Sequence, residues 1–265
     1  MTYTTIEYDK TGRVANVTFC RPKIHNAFNA TVITEMADVF RRIAEDDDIR
    51  VVLLTGEGKS FCAGADLNWM RSVIDQSFEE NLAESNHLAD LFYQIYTCKR
   101  PVVGKINGAA IGGGTGFVAV CDIAIAARSA KFSFSEVKIG VVPACIGPYV
   151  IRKMGEGKAR ELFITGERMT ADRAFEVGLV NKVVDDDRLD SEVDTLISTI
   201  LTSGPEAVAM AKKLVSEVPG MTPEQFKPFT AEMIARLRIS DEGQEGMDAF
   251  LNKRKPAWVE NSNEE

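Results

Sequence analysis

The chain has 265 residues, 45% apolar and 26% charged, which are the proportions of an ordinary globular protein with enough length to bury a substantial core. Its formal net charge of −8 argues against a broad nucleic-acid or anionic-membrane surface but leaves room for a local basic patch that meets a phosphorylated ligand. No run of about 18 apolar residues and no apolar leader appears, so a cytoplasmic protein is expected; five scattered cysteines without zinc-site spacing point to reduced thiols and no metal.

Residues 4–8 and 14–19 alternate like the strands of a hairpin turned at Lys10-Thr11-Gly12. Arg21-Pro22 ends the second strand. Asn29 and Thr31 offer N-caps to a helix over 32–44, whose apolar residues include Ile33, Met36, Phe40 and Ile43. The acid run at 45–48 reads as a solvated turn. VVLLT at 51–55 reads as a buried strand closed by Gly56 and Gly58. SFCAGADL at 60–67 then makes a small-residue turn, with Asp66 placed to cap a helix starting near Leu67. Residues 76–96 hold a helix, and its polar start at 75–81 reads equally as a mobile lid or a solvated helix end.

The stretch 107–136 organises the rest. It opens on Gly108, Ala109 and Ala110, continues through Gly112, Gly113 and Gly114, and runs into a buried helix turn at 117–121. A buried strand at 123–127, an alternating one at 131–134 and then Glu136 come next. A glycine turn that starts a helix gathers unsatisfied N–H groups and the positive dipole end at one spot. Dinucleotide and Walker fingerprints do not fit, because neither the glycine spacing nor a closing Lys-Ser/Thr is present. With the turn at 60–67, two small-residue strand-to-helix turns can each aim one backbone N–H at a common point. That is the requirement of an oxyanion hole.

FCAGADL, NGAAIGGG, CDIAIAA and FSFSEVKIG, in this order and spacing, resemble the enoyl-CoA hydratase/isomerase, or crotonase, family. Arg21-Pro22 to Asn26-Ala27, Gly166-Glu167-Arg168 and the FLNKRKP tail at 250–256 extend the resemblance along the chain. It implies an α/β fold, a ClpP/crotonase-like spiral of ββα units, with a C-terminal α-helical region that builds trimers or hexamers. The spiral with the active site would take residues 1–200 and the helical region 201–265. Helical periodicity at 191–201, 205–218 and 223–251 agrees, with interruptions expected at Pro219-Gly220, Gly243 and Gly246.

The same resemblance implies an acyl-CoA thioester as substrate, with no separate cofactor. The oxyanion donors fall on the backbone N–H groups of Ala65 and Gly113. The CoA and acyl site falls on Arg21, Lys23, Ile24, Asn26, Ala63, Asp66, Leu67, Gly112 and Gly116, with Phe250 and Lys253 reaching a neighbouring subunit's nucleotide. The basic tail reads equally as a solvated end. Of two family glutamates, the second falls on Glu136, while Gly116 stands where the first would be and is expected to leave room for water or a bulkier acyl group. Three readings stay open: a hydratase of a 2-enoyl-CoA, including a branched or carboxylated one; a single-glutamate enoyl-CoA isomerase; and a catalytically silent acyl-CoA binder. The DLNWMR string at 66–71 is similar to the methylglutaconyl-CoA hydratase branch. Asp122 is expected to bond backbone, His25 to neighbour the CoA cradle and His87 to lie exposed on a helix.

Overall fold

Short strands come in pairs along this chain, and most pairs lead into a helix. The computed structural model describes residues 2–259; the end of the expected 201–265 region, residues 260–265, lies outside them. β1 (Ile6–Thr11) and β2 (Val14–Phe19) form the hairpin. Its turn is Gly12-Arg13, and Thr11 pairs with Val14, so the first strand runs through Lys10 and Thr11 and not merely to residue 8. A two-residue turn led by a positive-φ glycine matches strand twist better than the longer turn expected. α1 (Ala30–Glu45) starts where Asn29 accepts a hydrogen bond from the Val32 N–H at 3.1 Å.

The chain then makes three turns of the spiral. The first is β3 (Val51–Gly56), β4 (Ser60–Cys62), α2 (Leu67–Ser72) and α3 (Phe78–Tyr96). The second is β5 (Val102–Ile106), β6 (Ala109–Ile111) and α4 (Gly113–Val120). The third is β7 (Ile123–Ala127), β8 (Lys131–Ser133), a 3-10 turn at Ser135–Ile139, α5 (Gly147–Met154) and α6 (Glu156–Thr165). β9 (Arg168–Thr170), α7 (Ala171–Glu176), β10 (Lys182–Val184), α8 (Leu189–Leu201), α9 (Pro205–Glu217), α10 (Pro223–Ile239) and α11 (Asp241–Leu251) complete the chain.

In each of these three turns the first strand joins a six-stranded sheet that also holds both strands of the hairpin, in the order β1-β2-β3-β5-β7-β10, parallel from β2 onward. The second strand joins a smaller sheet, β4-β6-β8-β9, in which only β9 runs antiparallel. The three-residue strands β4 and β6 lie inside what the sequence presents as small-residue turns. α8 lays Leu189, Val193 and Ile197 against Val51, Val103, Ile125 and Ala127 of the large sheet. Each such side chain contributes about 2 kcal/mol when fully buried. Within α4, residues 114–120 are all buried, and the one polar side chain among them, Thr115, donates its hydroxyl to the carbonyls of Ala110 and Ser133. Its far end is closed by Lys153, whose ammonium donates to the Cys121 carbonyl at 2.6 Å. Burial pushes the Lys153 pKa below the usual lysine range.

α9 and α10 are separated at Pro219-Gly220 as expected, but α10 and α11 break at Ser240 and not at Gly243 or Gly246. Ser240 Oγ accepts from the Gly243 N–H at 3.1 Å and caps α11, so Gly243 and Gly246 lie inside that helix. α10 and α11 bury only Met233 and Ala249, and leave Ile239, Phe250 and Leu251 at least three-quarters exposed. Among the described residues, no helix is long and apolar enough to cross a membrane.

Candidate active site

Three parallel neighbours deliver three segments to one edge of the small sheet. β4, β6 and β8 run in the same direction, so the segments after them emerge on the same side: residues 63–66, then Gly112-Gly113, then Glu136. The carboxyl edge of parallel strands is where α/β sheets place their ligands.

Phe28 ties the first two segments together. Its N–H donates to the Gly64 carbonyl and its own carbonyl accepts from the Asp66 N–H, both at 2.8 Å, which makes an isolated parallel bridge with Ala65. The Ala65 N–H, between those two bonds, has no acceptor among the described residues. The Phe28 ring covers Gly113, where a Cβ would lie 2.7 Å from ring carbons. Gly113 is the first residue of α4, so its N–H has no carbonyl within the helix to meet. Two unspent donors therefore flank one aromatic residue. Nothing in the sequence marks Phe28; the missing Cβ at Gly113 implies a close neighbour but does not say which.

Glu136 is the second residue of the 3-10 turn after β8, and its Oε1 lies where a Cβ at Gly112 would be only 3.2 Å away. Gly112 takes φ 54°, a left-handed conformation that costs other residues energy. Oε2 of Glu136 is buried and has no hydrogen-bond partner among the described residues. Burial raises the Glu136 pKa above the ordinary carboxylate range, with its own backbone N–H opposing in part. A buried carboxylate with an idle oxygen beside a helix N-terminus is poised to take and return a proton.

The residues expected to cradle CoA divide into two groups. Arg21, Asn26, Ala63 and Asp66 are bonded to the turns themselves. Arg21 pairs with Asp66 at 2.7 Å and donates to the Ala27 carbonyl. Asn26 Nδ2 donates to the carbonyls of Glu57 and Ser60 at 2.9 and 2.7 Å, and its Oδ1 accepts from the Arg21 N–H. The Ala63 N–H donates to the carbonyl of His25 at 3.0 Å. Asp66 accepts from the Asn68 N–H at 2.8 Å and caps α2. These contacts hold the Ala65 turn in shape. Lys23, Ile24 and Leu67 are exposed, Leu67 by 70%. Phe250 and Lys253 sit exposed at and just past the end of α11.

Gly116 does not leave room. A Cβ there would overlap Cγ2 of Ile146 and come within 3.0 Å of Ile146 Cβ and 3.1 Å of Phe92 Cζ. The space expected for water or a bulkier acyl group is filled by hydrocarbon, and neither Ile146 nor Phe92 carries a sequence pattern that flags it. Asp122 bonds backbone as expected, accepting from the Val102 N–H at 2.7 Å, and it also pairs with Lys212 of α9 at 2.7 Å. His25 Nδ1 lies 3.0 Å from Ser60 Oγ, and His87 is exposed. The polar start of α3 forms a capping box between Ser77 and Glu80. A cleft of about 260 Å³ lies between α1 and α3, lined by Ile33, Thr34, Trp69, His87 and Leu91 among others, and does not include Glu136. Trp69 connects it to the site, its ring 5.7 Å from that of Phe28.

The chain matches the model of the enoyl-CoA hydratase/isomerase family over residues 9–261. It is 33% identical to the crotonyl-CoA hydratase of Syntrophomonas wolfei, covering 98% of this chain and 99% of that one. It is 34% identical to the short-chain-enoyl-CoA hydratase of Clostridium acetobutylicum, covering 93% and 94%. The crystal structure of an enoyl-CoA hydratase from Shewanella pealeana superposes with a TM-score of 0.93 at 39% identity, over 97% of this chain and 96% of that one. The fold is the crotonase spiral.

Proposed function

Because the chain belongs to the enoyl-CoA hydratase/isomerase family, we propose that it adds water across the double bond of a 2-enoyl-CoA. The observation that carries this reading is the idle, buried oxygen of Glu136 beside the Gly112-Gly113 turn, with the unspent donors of Gly113 and Ala65 both held against Phe28. The thioester oxygen sits on those two N–H groups. The Glu136 carboxylate takes a proton from water as the water oxygen bonds to C3, and the C2–C3 electron pair moves onto the thioester as an enolate. Each donor then stabilises the oxyanion by about 3 kcal/mol. Glu136 returns the same proton to C2, which leaves the carboxylate unchanged and one water added. Arg21, Asn26, Ala63 and Asp66 act by holding the Ala65 turn, while Lys23, Ile24 and Leu67 meet the CoA moiety.

The acyl group is a branched or carboxylated one, of the methylglutaconyl type. Support for this is the DLNWMR string at 66–71; the room expected at Gly116 does not contribute, since Ile146 fills it. A second reading, a Δ3,Δ2-enoyl-CoA isomerase, is favoured by the same single carboxylate, because one group can carry a proton from C4 or C2 and back. A substrate panel followed at the enoyl-thioester absorption separates them. Hydration removes the band from a 2-enoyl-CoA, isomerisation of a 3-enoyl-CoA creates it, and a silent binder does neither.

The division into a spiral at 1–200 and an oligomerising region from 201 onward belongs to the same reading. It is supported by the exposed apolar residues of α10 and α11. Sedimentation at micromolar concentration is expected to give a trimer or hexamer, with Phe250 and Lys253 near a neighbour's nucleotide; a monomer contradicts it.

A further inference from the structure

Position 116 lies about one helical turn along α4 from Gly113, and it is where the family resemblance would place the other glutamate. The obstacle there is specific. Cγ2 of Ile146 occupies the volume into which any side chain at 116 projects. The isoleucine cannot move aside cheaply. It is β-branched and therefore stiff at χ1. Its backbone begins α5, with its carbonyl accepting from the N–H groups of Tyr149 and Val150 at 3.1 Å each. Phe92 closes the other side, itself fully buried, with its ring tilted against those of Phe117 at 4.8 Å and Tyr149 at 6.4 Å. Ile146 is 2% exposed.

We propose that Ile146 is the specificity-determining residue that holds this site to a single carboxylate: Gly116 is a glycine to admit Ile146, and no acid can be restored at 116 while the isoleucine remains. The packing half stands on the contacts alone, and the catalytic half rests on the hydratase reading above. Glycine at 146 is a natural partner for the test, because 146 is an N-cap position, which glycine tolerates.

The packing is tested by denaturation, without any substrate. Gly116→Ala is expected to lower Tm by about 5 °C or more through overpacking. Gly116→Ala/Ile146→Gly is expected to recover most of the loss measured against Ile146→Gly, a coupling that distant sites do not show. Gly116→Ala with wild-type Tm, or no recovery in the double variant, overturns the proposal. The catalytic half is read on crotonyl-CoA. Gly116→Glu/Ile146→Gly is expected to exceed Gly116→Gln/Ile146→Gly in turnover by about 10²-fold and to add a second ionisation to the pH profile, while Gly116→Glu alone gains neither. Equal pH profiles for the Glu and Gln double variants overturn the role of Ile146 in setting the carboxylate count. Stability coupling in a wild-type protein that hydrates no enoyl-CoA sinks the hydratase reading instead and upholds the packing.

Discussion

Gly112 and Glu136 are matched to one another: a Cβ on Gly112 would stand 3.2 Å from Oε1 of Glu136 and 3.6 Å from its Cδ. The glycine belongs to the turn that presents the Gly113 N–H, and the glutamate is the acid brought beside it. Gly112→Ala therefore disturbs both partners at once. The alanine must adopt φ 54° with ψ −126°, at about 1–3 kcal/mol, and its methyl presses on the carboxylate. Turnover is expected to fall by about 10²-fold, as for a catalytic group misplaced by 1 Å, while Tm drops by only a few degrees. Unchanged kcat in a folded Gly112→Ala protein would separate Glu136 from this turn.

The Gly113 donor calls for a probe that adds no atoms. Proline at 113 removes the N–H, but its Cβ would meet the Phe28 ring at 2.7 Å, so loss of activity would not report on the hydrogen bond alone. Replacing the Gly113 amide with an ester by chemical ligation deletes the donor and leaves the ring in place. The expected result is a 10²–10³-fold lower kcat, the usual effect of losing one oxyanion donor, with acyl-CoA affinity largely retained.

Glu136 also makes a prediction about stability. Its pKa in the folded chain is raised by burial above the unfolded value of about 4.3. The folded state then holds the proton more tightly than the unfolded state, so this group's contribution is fully present below the unfolded pKa and is lost as pH rises through the folded value. Glu136→Gln keeps the shape and removes the charge. The variant is expected to be more stable than wild type at pH 7, with the two denaturation midpoints converging toward pH 4. A midpoint difference that does not change with pH would mean that burial does not act on this carboxylate.

How much of the molecule is legible in its sequence depends on the kind of interaction involved. The Asn29 and Asp66 caps, the strand at 51–56 and the buried α4 are readable, because capping and periodicity are local. Glu136, Ala65 and Gly113 are named only through the family resemblance, which the small-residue turns at 60–67 and 107–114 and the FSFSE segment carry. β4 and β6 cannot be seen, since three residues carry no period, and their strand character comes from pairing with each other and with β8. The hairpin register and the break at Ser240 are misplaced by sequence reasoning for a similar reason, as a turn or cap is fixed by the bonds it closes. Gly116 reads as space, and only packing from Ile146, thirty residues on, shows that it is contact. Phe28 escapes notice because its role depends on a bridge to Ala65 and a ring over Gly113, both long-range.

The central claim, that Glu136 performs the proton transfers between two backbone donors, is tested most directly by the initial rate of loss of the enoyl-thioester absorption for wild type and Glu136→Gln on crotonyl-CoA and a branched, carboxylated 2-enoyl-CoA. Wild type is expected to hydrate at least one of them. Glu136→Gln is expected to be slower by about 10²–10⁴-fold, the range for losing a general acid/base, with KM little changed. A Glu136→Gln protein that turns over its best substrate at the wild-type rate would contradict the account and place the chemistry on another acid, with Glu84 in the cleft beside Trp69 the first to examine.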